Sequence, residues 1–187
     1  MKENTMYTHL ILGNDDQLGK MVSWLLAAPR TYIFGGLLRT LINPVVHADF
    51  GDIDLIGLDT ALMDRINDTF GYVFKEVSRR GQFPRYFLAK SALVSKPIQL
   101  VLMRSHAEAV QFAVDGPQYD IDRVMYGEGR YWCDETIGEA AIRHAINTKR
   151  ASLFTGQRDL CHFAIHRPQI EERHRLKLIQ KRFVIID

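Results

Sequence analysis

Tyr32-Ile33-Phe34-Gly35-Gly36-Leu37-Leu38-Arg39, followed by Asp52-Ile53-Asp54-Leu55-Ile56-Gly57, decides the reading of this chain. The first stretch has the form of a short apolar strand, a double-glycine turn and a helix carrying an arginine. The second reads as another strand, Asp52 to Leu58. Side chains alternate sides along a strand, so Asp52 and Asp54 share one face while Ile53 and Leu55 point into the core. Two carboxylates held together on an apolar strand repel each other unless a cation joins them. A divalent metal resolves that conflict, and a nucleoside triphosphate is a ligand that commonly brings one. Gly35 and Gly36 let the backbone approach such a ligand and offer N–H groups to phosphate oxygens. Arg39, one turn later, can grip a phosphate or hold the neighbouring carboxylates.

The elements around this pair alternate between helix and strand. Leu18, Val22, Leu25 and Leu26 recur at helical spacing after cap candidates Asn14, Asp15 and Asp16, and Pro29 ends the run. Gly36 to Ile42 reads as the helix after the glycine turn, and Ala61 to Phe70 as a helix closed by Gly71. Tyr72 to Val77 and Tyr86 to Ala89 read as paired strands around a basic tip, Arg79-Arg80-Gly81, which is either solvated or able to reach a phosphate. Pro97 to Met103 is a further strand, Ser105 caps a helix through Val114, and Ile121 to Tyr126 is strand-like. Helices follow at Thr136 to Lys149 and from Pro168 to about Lys181. The fold class expected is α+β, a central mixed sheet flanked by helices with a basic helical segment at the C-terminal end. Residues 1–135 are expected to form the core and residues 136–187 a helical segment packed on the same domain.

Composition sets outer bounds. The chain has 187 residues, 47% hydrophobic and 25% charged, as in ordinary globular proteins. No apolar run is long enough to cross a bilayer, and Met1-Lys2-Glu3-Asn4 opens no signal-peptide pattern, so no membrane association and a cytoplasmic location are expected. Cys133 and Cys161 are too few for a disulfide scaffold. Charge is uneven: from Arg143 to Arg182 ten Lys or Arg stand against three acids, whereas the remainder is acidic. That basic quarter suits either an RNA backbone or a solvated helix surface. His162 and His166, beside Cys161, would share a helical face, but no second ligand pair accompanies them. His47 reads as a loop residue, Trp24 as core, and Trp132 as packing beside Cys133.

The ordered combination of Gly35, Gly36, Arg39, Asp52 and Asp54 resembles the polymerase β-type nucleotidyltransferase superfamily. It is most similar to the head domain of class II tRNA nucleotidyltransferases and bacterial poly(A) polymerases, and to small phage nucleotidyltransferase-like proteins. The resemblance implies an enzyme that moves an NMP from an NTP to a hydroxyl of an RNA end, a small molecule or a protein. It implies magnesium, or manganese, on Asp52 and Asp54 as the catalytic carboxylates, with Gly35, Gly36, Arg39 and Asp120 on the nucleotide. The chain departs from the family pattern in places. Thr40 follows the motif arginine where an aspartate is common, and Gln99 stands at the place of a third acid. Gln118-Tyr119-Asp120 keeps an aspartate without the arginine pair that precedes it. CCA addition is therefore not expected, and a nucleotide- or RNA-binding module without catalysis is the alternative.

Overall fold

The computed structural model describes residues 16–44, 50–78, 83–154 and 168–186. The sequence readings at His47, at the Arg79-Arg80-Gly81 tip and at Cys161, His162 and His166 lie outside them. Helix α1 spans Asp16–Ala27 and buries Leu18, Met21, Val22 and Leu25, one stripe at helical spacing. Strand β1 (Thr31–Phe34) runs directly into α2 (Gly35–Ile42). Strand β2 (Ile53–Gly57) is followed by α3 (Ala61–Phe70), β3 (Val73–Glu76), β4 (Arg85–Lys90) and β5 (Ile98–Leu102). Helix α4 (His106–Val110) passes into a π turn at Gln111–Asp115 and then a 3-10 turn at Asp120–Asp122. The hairpin β6 (Val124–Gly127) and β7 (Arg130–Cys133) comes next. The chain closes with α5 (Glu139–Thr148), β8 (Arg150–Ser152), α6 (Pro168–Gln180) and β9 (Val184–Ile186).

Seven strands form one mixed sheet in the order β3-β4-β5-β2-β1-β6-β7, which confirms the expected fold class. Only β2 and β5 are parallel neighbours; the other pairs in this sheet are antiparallel. Alternation divides the sheet. Ile33, Leu55 and Leu100 join the large core with the buried residues of α1, α2 and α3, while Tyr32, Ile56 and Val101 pack under α4 and the π turn. The second face is covered only in part. The register sets Phe34, Asp54, Gln99, Leu88 and Lys75 in one row across five strands, and Gln99, Leu88 and Lys75 remain exposed. Among the described residues no helix is long and apolar enough to cross a membrane.

Several boundaries differ from expectation for local reasons. Asp52 lies just before β2 rather than within it. The helix capped by Ser105, whose hydroxyl accepts the Glu108 N–H, loosens into the π turn after Val110 and stops at Gly116. Asp134 accepts the N–H groups of Thr136 and Ile137, so residues 135–137 form a turn and α5 begins at Glu139. The C-terminal segment is not purely helical, since β8 and β9 pair in parallel as a second small sheet. Its Ile142, Ala145, Ile146, Leu178 and Phe183 enter the same core as α1.

Candidate functional site

Asp54 is the fixed point of the site. It occupies the second position of a buried strand and aims at the start of α2. Gly35 permits this approach: a Cβ there would lie 2.3 Å from Asp54 Oδ2, and its φ of +67° is one that side chains other than glycine rarely adopt. Asp54 also accepts the Gly36 N–H. One diglycine amide is thus directed at a carboxylate of the protein itself. Burial, then the negative charge of Asp52, pushes the Asp54 carboxyl up to about 7, despite the opposing pull of Arg39 and the Gly36 N–H.

Asp52 reaches the same place from the loop before β2 and accepts a hydrogen bond from Gln99 Nε2. Gln99 is the direct neighbour of Asp54 across the parallel β2–β5 pair. Two carboxylates and one amide therefore converge. Among the described residues no group of three or more His, Cys, Asp or Glu side chains is arranged to hold a metal ion.

Arg39 departs from the expected arrangement. Its guanidinium is buried and forms an ion pair with Asp122, from the 3-10 turn, rather than with Asp52 or Asp54. Asp122 also accepts from His174 Nε2 on α6 at 2.8 Å. Burial raises the Asp122 carboxyl, but Arg39, His174 and Lys181 outweigh it and hold the group below its ordinary range. Asp120, expected on the nucleotide, turns to the backbone in this structure. Its carboxylate accepts the N–H groups of Ile121 (2.7 Å) and Ser152 (2.9 Å), and it does not line the cavity. In a tight 3-10 turn, positions two apart do not share a face, so Asp122 points where Asp120 does not.

Around these groups lies a cavity of about 520 Å³. Its floor is Gly35, Gly36, Asp52, Asp54 and Gln99. One wall is the stretch from Gln111 to Gln118, where Phe112 meets Phe34 edge to face at 5.7 Å. Gln118 belongs to this wall, and its buried Oε1 has no hydrogen-bond partner among the described residues. The other wall is α6, through His174, Lys177, Leu178 and the adjoining Lys181. The volume falls within the range of small-molecule sites. The sequence reading did not put Asp122 on a cavity wall, and it left α6 as either an RNA-facing or a solvated surface rather than part of this cavity.

A scan against protein-family models finds no match, and no curated protein matches the sequence. The fold does have solved counterparts. A CCA-adding enzyme in complex with CTP superposes with a TM-score of 0.60 and 10% identity, covering 100% of this chain and 44% of that one. The Thermotoga maritima CCA-adding enzyme complexed with tRNA gives 0.57 and 11%, covering 100% and 43%. A tRNA-processing enzyme with CTP gives 0.53 and 13%, covering 91% and 42%. The chain spans less than half the length of each of these proteins. A mixed sheet that sets a double-glycine turn against a strand-borne aspartate, matched over the whole chain by two of these structures, gives this protein the nucleotidyltransferase fold found in part of the CCA-adding enzymes.

Proposed function

We propose that this protein is a divalent-metal-dependent nucleotidyltransferase that moves an NMP from an NTP to a hydroxyl acceptor and releases pyrophosphate. The carrying observation is the convergence of Asp52 and Asp54 at the Gly35-Gly36 turn on the floor of a ligand-sized cavity. The donor set fits magnesium or manganese, since two carboxylate oxygens and an amide are hard ligands, and a shared cation would relieve the repulsion that raises Asp54. When bound, such a cation supplies activation of the acceptor hydroxyl and neutralisation of the leaving pyrophosphate. Asp54 gives up its proton as the site loads, and Gly35 keeps the carboxylate seated against the turn. Phe112 and Gln118 offer an apolar surface and a hydrogen-bond acceptor suited to the nucleoside end. In the transfer, the acceptor oxygen bonds to the α-phosphorus, the bond to the bridging oxygen breaks, and the hydroxyl proton passes to water.

The test is turnover of labelled NTPs with magnesium or manganese, using RNA ends, small hydroxyl compounds and the protein itself as acceptors. Wild type should release pyrophosphate, and Asp52→Asn should fall by about 10³-fold, the scale of losing a metal ligand. Equal turnover by both proteins would overturn the proposal. Gly35→Ala should lower turnover by about 10²-fold, since its Cβ displaces the Asp54 carboxylate by an ångström or so. The same variant should melt at a lower temperature because of its left-handed φ.

Gln99 motivates a second reading, a nucleotide-binding module without catalysis. It stands beside Asp54 and occupies Asp52 with a hydrogen bond where another carboxylate would strengthen the metal site. Calorimetric binding of NTP with magnesium, without pyrophosphate release on any acceptor, would establish that reading.

A further inference from the structure

Two of the groups that the sequence offers to a triphosphate already have partners within the protein. Gly36 donates its N–H to Asp54, and Arg39 is buried against Asp122. Arg39 still lines the cavity, and a polyphosphate there can draw on a second source of positive charge beside it. Helix α6 carries it. His174, Lys177, Leu178 and Lys181 are spaced three, four and seven residues from the first, which places them on one side of a helix, and all four line the cavity. Leu178 is 1% exposed, and His174 bonds to Asp122, so the stripe is held in place by packing on one side and a hydrogen bond on the other. The Lys181 N–H donates to the Lys177 carbonyl at 3.1 Å, which continues the helical register to the second lysine. The cavity thus has carboxylates on its floor and two lysines on one wall. A polyanion carrying a divalent cation satisfies both.

We infer that Lys177 and Lys181 form the polyphosphate-binding site of this protein, holding the β- and γ-phosphates of an NTP and the pyrophosphate that leaves. The inference rests on the nucleotidyltransferase reading and adds the residues that supply its phosphate charge. It also makes the C-terminal segment part of the site: α6 docks through Asp122 and Arg39, so nucleotide affinity depends on a helix far from β2 in sequence. The basic quarter of the chain then acts on a mobile polyphosphate within the cavity rather than on an RNA backbone.

The experiment is calorimetric titration of the full chain with magnesium tripolyphosphate, with magnesium ATP and with a single-stranded oligonucleotide lacking a 5′ triphosphate. Lys177→Gln, Lys181→Gln and the double variant are compared with wild type, and Arg173→Gln, exposed on the same helix outside the cavity, serves as a control. Each lysine variant should weaken tripolyphosphate and ATP by about tenfold, the scale of a charge-assisted contact, and Arg173→Gln should leave both unchanged. Lys177 is exposed, so its variant carries the test if Lys181→Gln lowers stability. Equal ATP and tripolyphosphate affinity in wild type and variants would overturn the inference while the nucleotidyltransferase reading stands. Wild type that binds neither would overturn both. A lysine-dependent loss confined to the oligonucleotide would assign the helix to polynucleotides and overturn the inference as well.

Discussion

Asp54→Asn is expected to abolish nucleotidyl transfer and, with metal chelated, to make the protein more stable at pH 8. The two effects share one cause. Burial and the charge of Asp52 lift the Asp54 carboxyl from its ordinary value near 3.8 to about 7. An acid with a raised value in the fold binds its proton more tightly there than in the unfolded chain. Between roughly pH 4 and 7 the native state therefore holds more protons, and stability falls as pH rises through that window. Above pH 7 the full electrostatic cost is present. Asparagine keeps the shape, can still accept the Gly36 N–H, and carries no charge. Three pKa units correspond to about 4 kcal/mol, and the partial exposure of Asp54 reduces the expected gain to about 2 kcal/mol at pH 8. Urea denaturation at pH 5 and pH 8 in chelator checks this. The variant should gain most at the higher pH, magnesium should stabilise wild type more than the variant, and transfer should fall by about 10³-fold. A variant less stable than wild type at pH 8 would show that Asp54 is not under electrostatic strain.

What the sequence discloses is what depends on neighbours close along the chain. Strand β1 falls at the expected Thr31 to Phe34 because an apolar run meets a double glycine, and both signals are local. Gln99 came into view only through the family resemblance; the parallel pairing that sets it beside Asp54 joins strands far apart along the chain. The hairpin strand β7 carried a usable signal that the reading passed over. Glu128 and Gly129 both have positive φ, which is the two-residue turn that x-Gly between aromatic runs announces. Asp122 is different. Its partner Arg39 is 83 residues away and His174 is 52 residues away, so nothing nearby marks it. The 3-10 turn sends Asp120 to backbone amides and Asp122 to the cavity wall, a division that depends on the turn geometry. The lysines of α6 show the same limit. Their spacing is visible in the sequence, but the surface they meet is decided by where Leu178 and Phe183 enter the core.

Arg123→Met is expected to be the most destabilising single change outside the site, at about 3–5 kcal/mol, and to weaken nucleotide binding although Arg123 does not line the cavity. Arg123 is 2% exposed, and its guanidinium binds Asp134 through Nε at 2.8 Å and Nη2 at 2.5 Å. Its Nη1 donates to the carbonyls of Asp115 and Pro117, and the group stacks 3.7 Å from the Phe154 ring centre. One side chain therefore ties the β6–β7 hairpin to the end of the π turn, whose residues wall the cavity. Methionine fills much of the volume and satisfies none of these acceptors. Asp134 would remain buried with part of its charge unanswered, although Thr136 and Ile137 still donate to it. Burial raises the Asp134 carboxyl, while Thr136 and Arg123 bring it below its ordinary range. An acid so depressed stabilises the fold above its unfolded value and loses that contribution as pH falls. The variant should accordingly show a shallower loss of stability on acidification than wild type. Asp134→Leu in the same chain should recover part of the loss, because removing both charges avoids the lone buried carboxylate. Urea denaturation at about pH 3 and pH 7, with ATP titration at the latter, checks these expectations. A loss below about 1 kcal/mol would mean that the network is no better than a surface pair, and that the cavity wall is held by its apolar contacts alone.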